Sequence, residues 1–273
     1  MEDSIRKKIE SLPALPESVK ELEDFRKIKE QEIIDLLVIV EKDPIIVSSL
    51  LKTVNSAMFG FGTKVETPSK AIHLLGIKFT LGYAIGSLLR NLVISDISMY
   101  NSDTNKFMYS SSLSTSFVNL WGKKAFPHRK EALNMPAFLQ NIGVFVLAEL
   151  IAEQDKESIF IEKIKDSRDI SEIERELVGI TTSELTSEVL KYWKLDDYLV
   201  DVIHKVDNVE ESSDELSDDV KVLSIVKILC CISEPFSDKN IELAMEKAND
   251  YGLNIRHLED AIEKMQDRLL EEE

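Results

Sequence analysis

IIDLLVIVEKDPIIVSSLLKTV, residues 33–54, decides the fold class of this chain. Its apolar side chains recur three and four positions apart, the helical period, and do not alternate as a strand would. A helix is expected from about Glu30 to Lys42. Ile33, Ile34, Leu36, Leu37, Val38, Ile39 and Val40 make it apolar on most faces, so burial on most sides follows. Asp43-Pro44 ends it and starts the next. An aspartate accepts from the free N–H groups of a first turn, and proline has no N–H to lose there. That next helix carries Ile45, Ile46, Leu50, Leu51 and Val54.

The same period extends outward in both directions. Towards the N-terminus a helix covers Ser4 to Ser11, Leu12-Pro13-Ala14-Leu15-Pro16 breaks it, and a second runs to about Lys29. Towards the C-terminus, Thr67-Pro68 opens a helix ending at Gly76. Ile77 to Val93 forms another, with Gly82 and Gly86 spaced for close helix contact. Asp103 or Thr104 opens a long helix to about Lys124, and Arg129 to about Ala152 reads as the next. A charged stretch from Glu153 to Asp169 precedes helices at about 170–178, 182–194 and 196–206. NVEESSDELSDD, residues 208–219, reads as a solvated acidic loop, and three helices complete the chain. The expected organisation is an all-α, multi-helical protein: an N-terminal bundle over residues 1–100, a second bundle over 101–207, the acidic loop 208–219, and C-terminal helices 220–273 packing on the rest.

Composition narrows the function classes. Hydrophobic residues make up 44% of the 273 and charged residues 30%, enough for a core beneath a solvated surface. The net charge of −17 repels phosphate backbones and anionic membrane surfaces, so neither nucleic-acid binding nor membrane docking is expected. The short basic runs Arg6–Lys8 and His128–Lys130 read as solvated turns. Cys230 and Cys231 are adjacent and cannot frame a disulfide scaffold, which suits a reducing compartment. Met1-Glu2-Asp3-Ser4 carries acids and no apolar run, so no signal peptide is expected. The uncharged stretches 107–122 and 132–148 fall short of the about 20 apolar residues of a membrane span. A soluble, cytoplasmic protein without membrane insertion is expected.

Catalytic patterns are scarce. Phe59-Gly60-Phe61-Gly62 follows a helix and no strand, so it reads as a C-cap and turn, not a phosphate loop. No G-x-S-x-G is present. The cysteines sit in the apolar run Val222–Ile232 and read as core residues. His73, His128, His204 and His257 include no pair three or four apart, so no helix face carries two metal ligands, and no cofactor is expected.

Four fragments fall in order: Leu12-Pro13-Ala14-Leu15-Pro16, Glu41-Lys42-Asp43-Pro44, Val54-Asn55-Ser56-Ala57-Met58-Phe59-Gly60 and Ala71-Ile72-His73-Leu74-Leu75-Gly76. Their order and spacing resemble the HD-related output domain family, HDOD. The likeness continues through Phe138-Leu139-Gln140-Asn141-Ile142-Gly143 and Tyr192-Trp193-Lys194-Leu195, covering residues 10 to about 207. The resemblance implies an all-helical fold whose second half is an HD-like bundle, related to metal-dependent phosphohydrolases, in bacterial signalling proteins. Catalytic relatives end a leucine-rich stretch in H-D-I-G. Here Gln140 and Asn141 stand at the His-Asp position, and the earlier metal histidine would fall among Met108 to Ser112, where none occurs. Neutral amides are poor ligands for a water-activating cation.

Gln140 and Asn141 therefore read first as part of a packed polar core, against the small residues Ser110, Ser111, Ser112, Ser114 and Ser116, and second as a remodelled small-molecule pocket. Asn55 and Ser56 read as a helix terminator bonding locally to backbone, with the alternative that they line an interaction surface with Met58 and Phe59. The expectation is a non-catalytic bacterial signal-transduction module acting through a protein partner. The alternative is a nucleotide sensor in the vestigial pocket. A metal-dependent phosphohydrolase comes third.

Overall fold

Asp43 caps its helix as its position requires, its carboxylate accepting from the backbone N–H of Ile45 at 2.9 Å. The computed structural model describes residues 2–59, 61–92, 95–167, 169–209 and 217–271, and every regular element among them is helical. In the first half, α1 (Glu2–Glu10), α2 (Glu17–Arg26), α3 (Ile33–Glu41), α4 (Pro44–Val54), α5 (Pro68–Leu75) and α6 (Ile77–Leu92) follow one another. α2 to α6 pack together. α3 departs from the expected burial: only Leu36 and Val40 are fully covered, while Ile34 and Val38 are more than half exposed. The physical reason is that its neighbours α2, α4, α5 and α6 leave the side carrying Ile34 and Val38 uncovered.

α7 (Thr104–Ala125) is the central helix, capped by Asp103 through the N–H groups of Asn105 and Lys106. Its run of small residues is buried from Ser110 to Ser116. Ser112, Ser114 and Thr115 donate to carbonyls four residues back, which pairs these three hydroxyls within the core, whereas the buried Ser111 Oγ finds no partner. The helix expected from Arg129 is shorter and divided. Turns occupy 127–133, α8 covers Asn134–Leu139, and tight turns over 140–143 lead into α9 (Val144–Glu153). Pro136 stands in the first turn of α8, where its missing N–H costs no bond. Gly82 and Gly86 do face α8: an added methyl would come within 3.1 Å of the Met135 Cα and 2.2 Å of the Phe138 ring.

The charged stretch after α9 contains a helix, α10 (Glu157–Asp166), anchored by the buried Phe160. α11 (Ile170–Val178), α12 (Thr182–Tyr192) and α13 (Asp197–His204) follow. The central residues of the acidic segment, 210–216, lie outside the described residues. Its last three, Ser217, Asp218 and Asp219, belong instead to the first turn of α14 (Ser217–Leu229), where the helix dipole favours the two acids. Asp219 is buried and takes two bonds from the Arg129 guanidinium, at 2.7 and 2.5 Å. α15 (Asp238–Asp250) and α16 (Ile255–Leu270) end the fold, with α16 against α7.

One apolar core spans both halves and the C-terminal helices, from Ile9 to Met265. α1 packs on α9 and α12, its Lys8 bridging to Glu149 and Glu153. Asn134–Glu153 is long and apolar enough to cross a membrane by length and composition, beyond what the sequence reading allowed, and most of it is buried under the rest of the fold.

Candidate functional site

Gln140 and Asn141 occupy the turn joining α8 to α9. The turn is held by the N–H of Ile142 on the Leu139 carbonyl, at 2.9 Å, and that of Val144 on the Asn141 carbonyl, at 3.1 Å. Thr186 of α12 clamps it from outside. Its hydroxyl oxygen accepts from the Gly143 N–H at 2.9 Å and lies 3.1 Å from the Gln140 carbonyl. Gly143 admits this approach because it has no Cβ; one placed there would lie 2.6 Å from the Thr186 nitrogen.

The two amides then diverge. Gln140 is wholly buried, and neither its Oε1 nor its Nε2 finds a partner. Such a group costs about 1–3 kcal/mol relative to a satisfied one. Asn141 lines a cavity of about 110 Å³, and its side chain has no hydrogen-bond partner among the described residues. Adjacent in sequence, they face a closed core and an open space respectively.

Around that cavity stands an ionisable cluster that sequence reading missed. Lys227 donates to both carboxylate oxygens of Asp207, at 2.7 and 2.8 Å, and to Ser183 Oγ at 2.7 Å. Burial alone would raise the Asp207 pKa and lower that of Lys227, but their mutual attraction wins in both directions. Lys247 pairs with Asp169 at 2.7 Å. Glu174 has no such cation in contact. Its carboxylate accepts from the N–H and hydroxyl of Thr182, both at 2.6 Å, and from the Tyr100 hydroxyl at 3.0 Å. Burial dominates and raises its pKa from 4.5 to about 7 against the field of Lys227. Burial and the Glu174 charge likewise raise the Tyr100 phenol. The available sequence signal was Lys227, a lone cation inside the apolar run Val222–Ile232. Its partner at Asp207 lies in another element and was not legible.

The residues do not fit a hydrolytic metal. The His-Asp position holds two amides, and Ser110 and Ser112 at the earlier ligand position donate to the backbone carbonyls of Cys230 and Met108. Asp169 and Asp207 are neutralised by lysines. Among the described residues no group of three or more His, Cys, Asp or Glu is arranged to hold an ion.

Asn55 and Ser56 bond locally to backbone. Asn55 donates to the carbonyls of Leu51 and Val65 and accepts from the Val65 N–H, tying the chain after α4 back to its end. Ser56 donates to Thr53 O at 2.9 Å. Met58 is buried and contributes no surface. Phe59 is half-buried and stacks on Phe61, with centroids 6.0 Å apart. Gly60 lies outside the described residues.

An all-helical bundle with an HD-like turn at its centre defines the class of this protein. The chain belongs to the HDOD domain family, which matches residues 12–209, and is thus a signalling-related domain. It is 22% identical over 218 residues to an uncharacterised protein of Treponema pallidum, covering 78% of this chain; it spans 40% of that relative's length. Among solved structures, a Shewanella amazonensis protein provisionally named a phosphohydrolase superposes with a TM-score of 0.68 at 18% identity, covering 97% of this chain and 94% of that one. A Marinobacter aquaeolei protein provisionally named for signal transduction gives 0.67 at 18%, covering 99% and 58%. An HDOD domain protein of unknown function from Geobacter sulfurreducens gives 0.59 at 13%, covering 93% of each chain. At these identities the likeness to the solved structures is one of fold.

Proposed function

We propose that this chain is a non-catalytic signal-transduction module that acts by binding another protein. The observation that supports it is the chemistry at the HD position: Gln140 and Asn141 offer neutral amides, and two of the nearby carboxylates are already paired with lysines. A cation there would have to displace Lys227 and Lys247 and then be held by poor ligands. The exposed Ile34 and Val38, one turn apart on α3, are apolar area available to a partner. The test joins two measurements on the purified chain. Metal content and phosphohydrolase turnover with added manganese should both be negligible. A protein retained by the immobilised chain should be lost from an Ile34→Asp, Val38→Asp variant. Stoichiometric metal with robust turnover would sink the proposal.

A second reading, a small-molecule sensor at the vestigial site, draws on the unpartnered Asn141 amide and the buried Ser224, whose hydroxyl also lines the cavity without a partner among the described residues. The space of about 110 Å³ suits a molecule of a few heavy atoms. A nucleotide needs a site in the usual range of about 300–1,000 Å³.

A further inference from the structure

A larger recess lies away from the HD position, where the α2–α3 connection, the start of α6, the end of α7 and the turns before α8 converge. Its volume is about 810 Å³. Five cations line it, Lys29, Lys78, Lys123, Lys130 and Arg268, against the single carboxylate of Glu131. Lys78 pairs with Glu131 at 3.1 Å, and Arg268 donates to the Met58 carbonyl at 3.1 Å. Lys29, Lys123 and Lys130 form no ion pair among the described residues. On a chain of net charge −17 such a local excess is unexpected. Distant acids do not cancel it, because fields between exposed charges are screened beyond about 8 Å at physiological salt.

Two further features of the recess concern the ligand's other end. Phe59 and Phe61 stack at its wall, with Phe79 edge-on to Phe59 at 5.3 Å. Beside them, Asn119 Nδ2 donates to Asn134 Oδ1 at 2.7 Å and to the Thr115 carbonyl at 2.9 Å. That leaves Asn119 Oδ1 as a free acceptor and Asn134 Nδ2 as a free donor, the latter on a residue only 3% exposed. A donor and an acceptor side by side match the edge of a nucleobase. Lys123 stands one helical turn beyond Asn119, and Lys130 four residues before Asn134, so each amide has a lysine nearby along the chain.

We propose that this recess binds a nucleoside polyphosphate, its phosphates on Lys29, Lys123 and Lys130 and its base against Phe59 and Phe61 with an edge on the Asn119–Asn134 pair. The ligand unites anionic and aromatic parts in a volume the recess accommodates. The site is separate from the vestigial HD cavity, so it stands or falls independently of the readings given for that cavity.

The test is titration calorimetry of the full chain with ATP, GTP, CTP and UTP, and with inorganic pyrophosphate. At least one triphosphate should bind saturably, more tightly than pyrophosphate, and more weakly as salt is raised. Lys123→Glu with Lys130→Glu should weaken it at least tenfold while the melting curve stays unchanged. Asn119→Ala should weaken the triphosphate and leave pyrophosphate unaffected. Absence of saturable binding by all four triphosphates would overturn the proposal, as would affinity undiminished in the double variant. Binding of a polyglutamate peptide with no triphosphate binding would also overturn it and assign the recess to an acidic protein segment.

Discussion

The indole N–H of Trp193 donates to the carbonyl of Pro13 at 3.0 Å, joining positions 180 residues apart in the chain. The Tyr192 hydroxyl reaches the Glu10 carbonyl beside it at 3.3 Å. The first and last motifs that mark the family in sequence thus touch each other in the fold. The proline-rich break after α1 has a free carbonyl because Pro16 and Pro13 prevent a regular helix there, and the end of α12 supplies the donor. Trp193→Phe keeps most of the packing and removes the donor. It should lower stability by about 1 kcal/mol in urea unfolding, the value of one such bond. Trp193→Ala should cost about 3–5 kcal/mol through the cavity it leaves. Equal midpoints for Trp193→Phe and the parent would show that the bond contributes nothing.

Glu174 makes stability depend on pH in a particular direction. Its carboxyl titrates near 7 in the folded chain and at 4.5 when unexposed to that environment, so the folded state holds the proton more tightly. Between these values the folded state binds more protons than the unfolded one, and stability falls as pH rises. The loss is complete above about pH 7 and amounts to at most ~3 kcal/mol. Asp207 and Asp169 have lowered pKa values and act in the opposite sense only as pH falls through the acid range below 3.8. Glu174→Gln should flatten the decline of melting temperature between pH 5 and 8 relative to the parent. Parallel pH profiles for the two proteins would refute the assignment.

Gln140 is a buried amide with both polar atoms unpaired, so its removal should help rather than harm. Gln140→Met conserves volume and removes the desolvated groups, and should stabilise by roughly 1 kcal/mol where most core substitutions destabilise. Chemical denaturation decides this. A midpoint lower than the parent's would mean that the amide has a partner in solution.

Gly143 should tolerate no side chain. A methyl there would meet the backbone of Thr186 at 2.6 Å and of Thr182 at 2.7 Å, atoms that cannot rotate away. Gly143→Ala should cost about 1–3 kcal/mol by overpacking. Gly62, whose added Cβ would meet nothing within 4 Å but whose φ of +63° disfavours it, provides a contrasting control on backbone strain alone. Thermal melts that leave Gly143→Ala unchanged would contradict the close approach of the α8–α9 turn to α12.

Much of the helical layout was legible, for reasons particular residues make clear. Asp43, Thr67 and Asp103 cap the helices their positions require, because capping is a local matter of one side chain and the next turn's N–H groups. Gly82 and Gly86 marked a close contact before its partner was known. The division of the expected helix from Arg129 was not legible. Gln140 and Gly143 at the two ends of the turn keep near-helical dihedrals, and Thr186, which clamps the turn, arrives from another helix. The burial of α3 was overstated for a related reason: composition says which faces can be buried, and only the neighbours decide which are.

The sequence by itself determined the helices, the family and the absence of His and Asp at positions 140 and 141, since each depends on residue identity or short-range spacing. Tertiary structure decided what stands around those positions. It sent Gln140 into closed packing and Asn141 to a cavity, and brought Lys227 onto Asp207 and left Glu174 without a cation in contact. It also gathered Lys29, Lys123 and Lys130 from three separate segments into one recess. Pairing between distant charges depends on where the backbone carries them, and no local pattern encodes that distance.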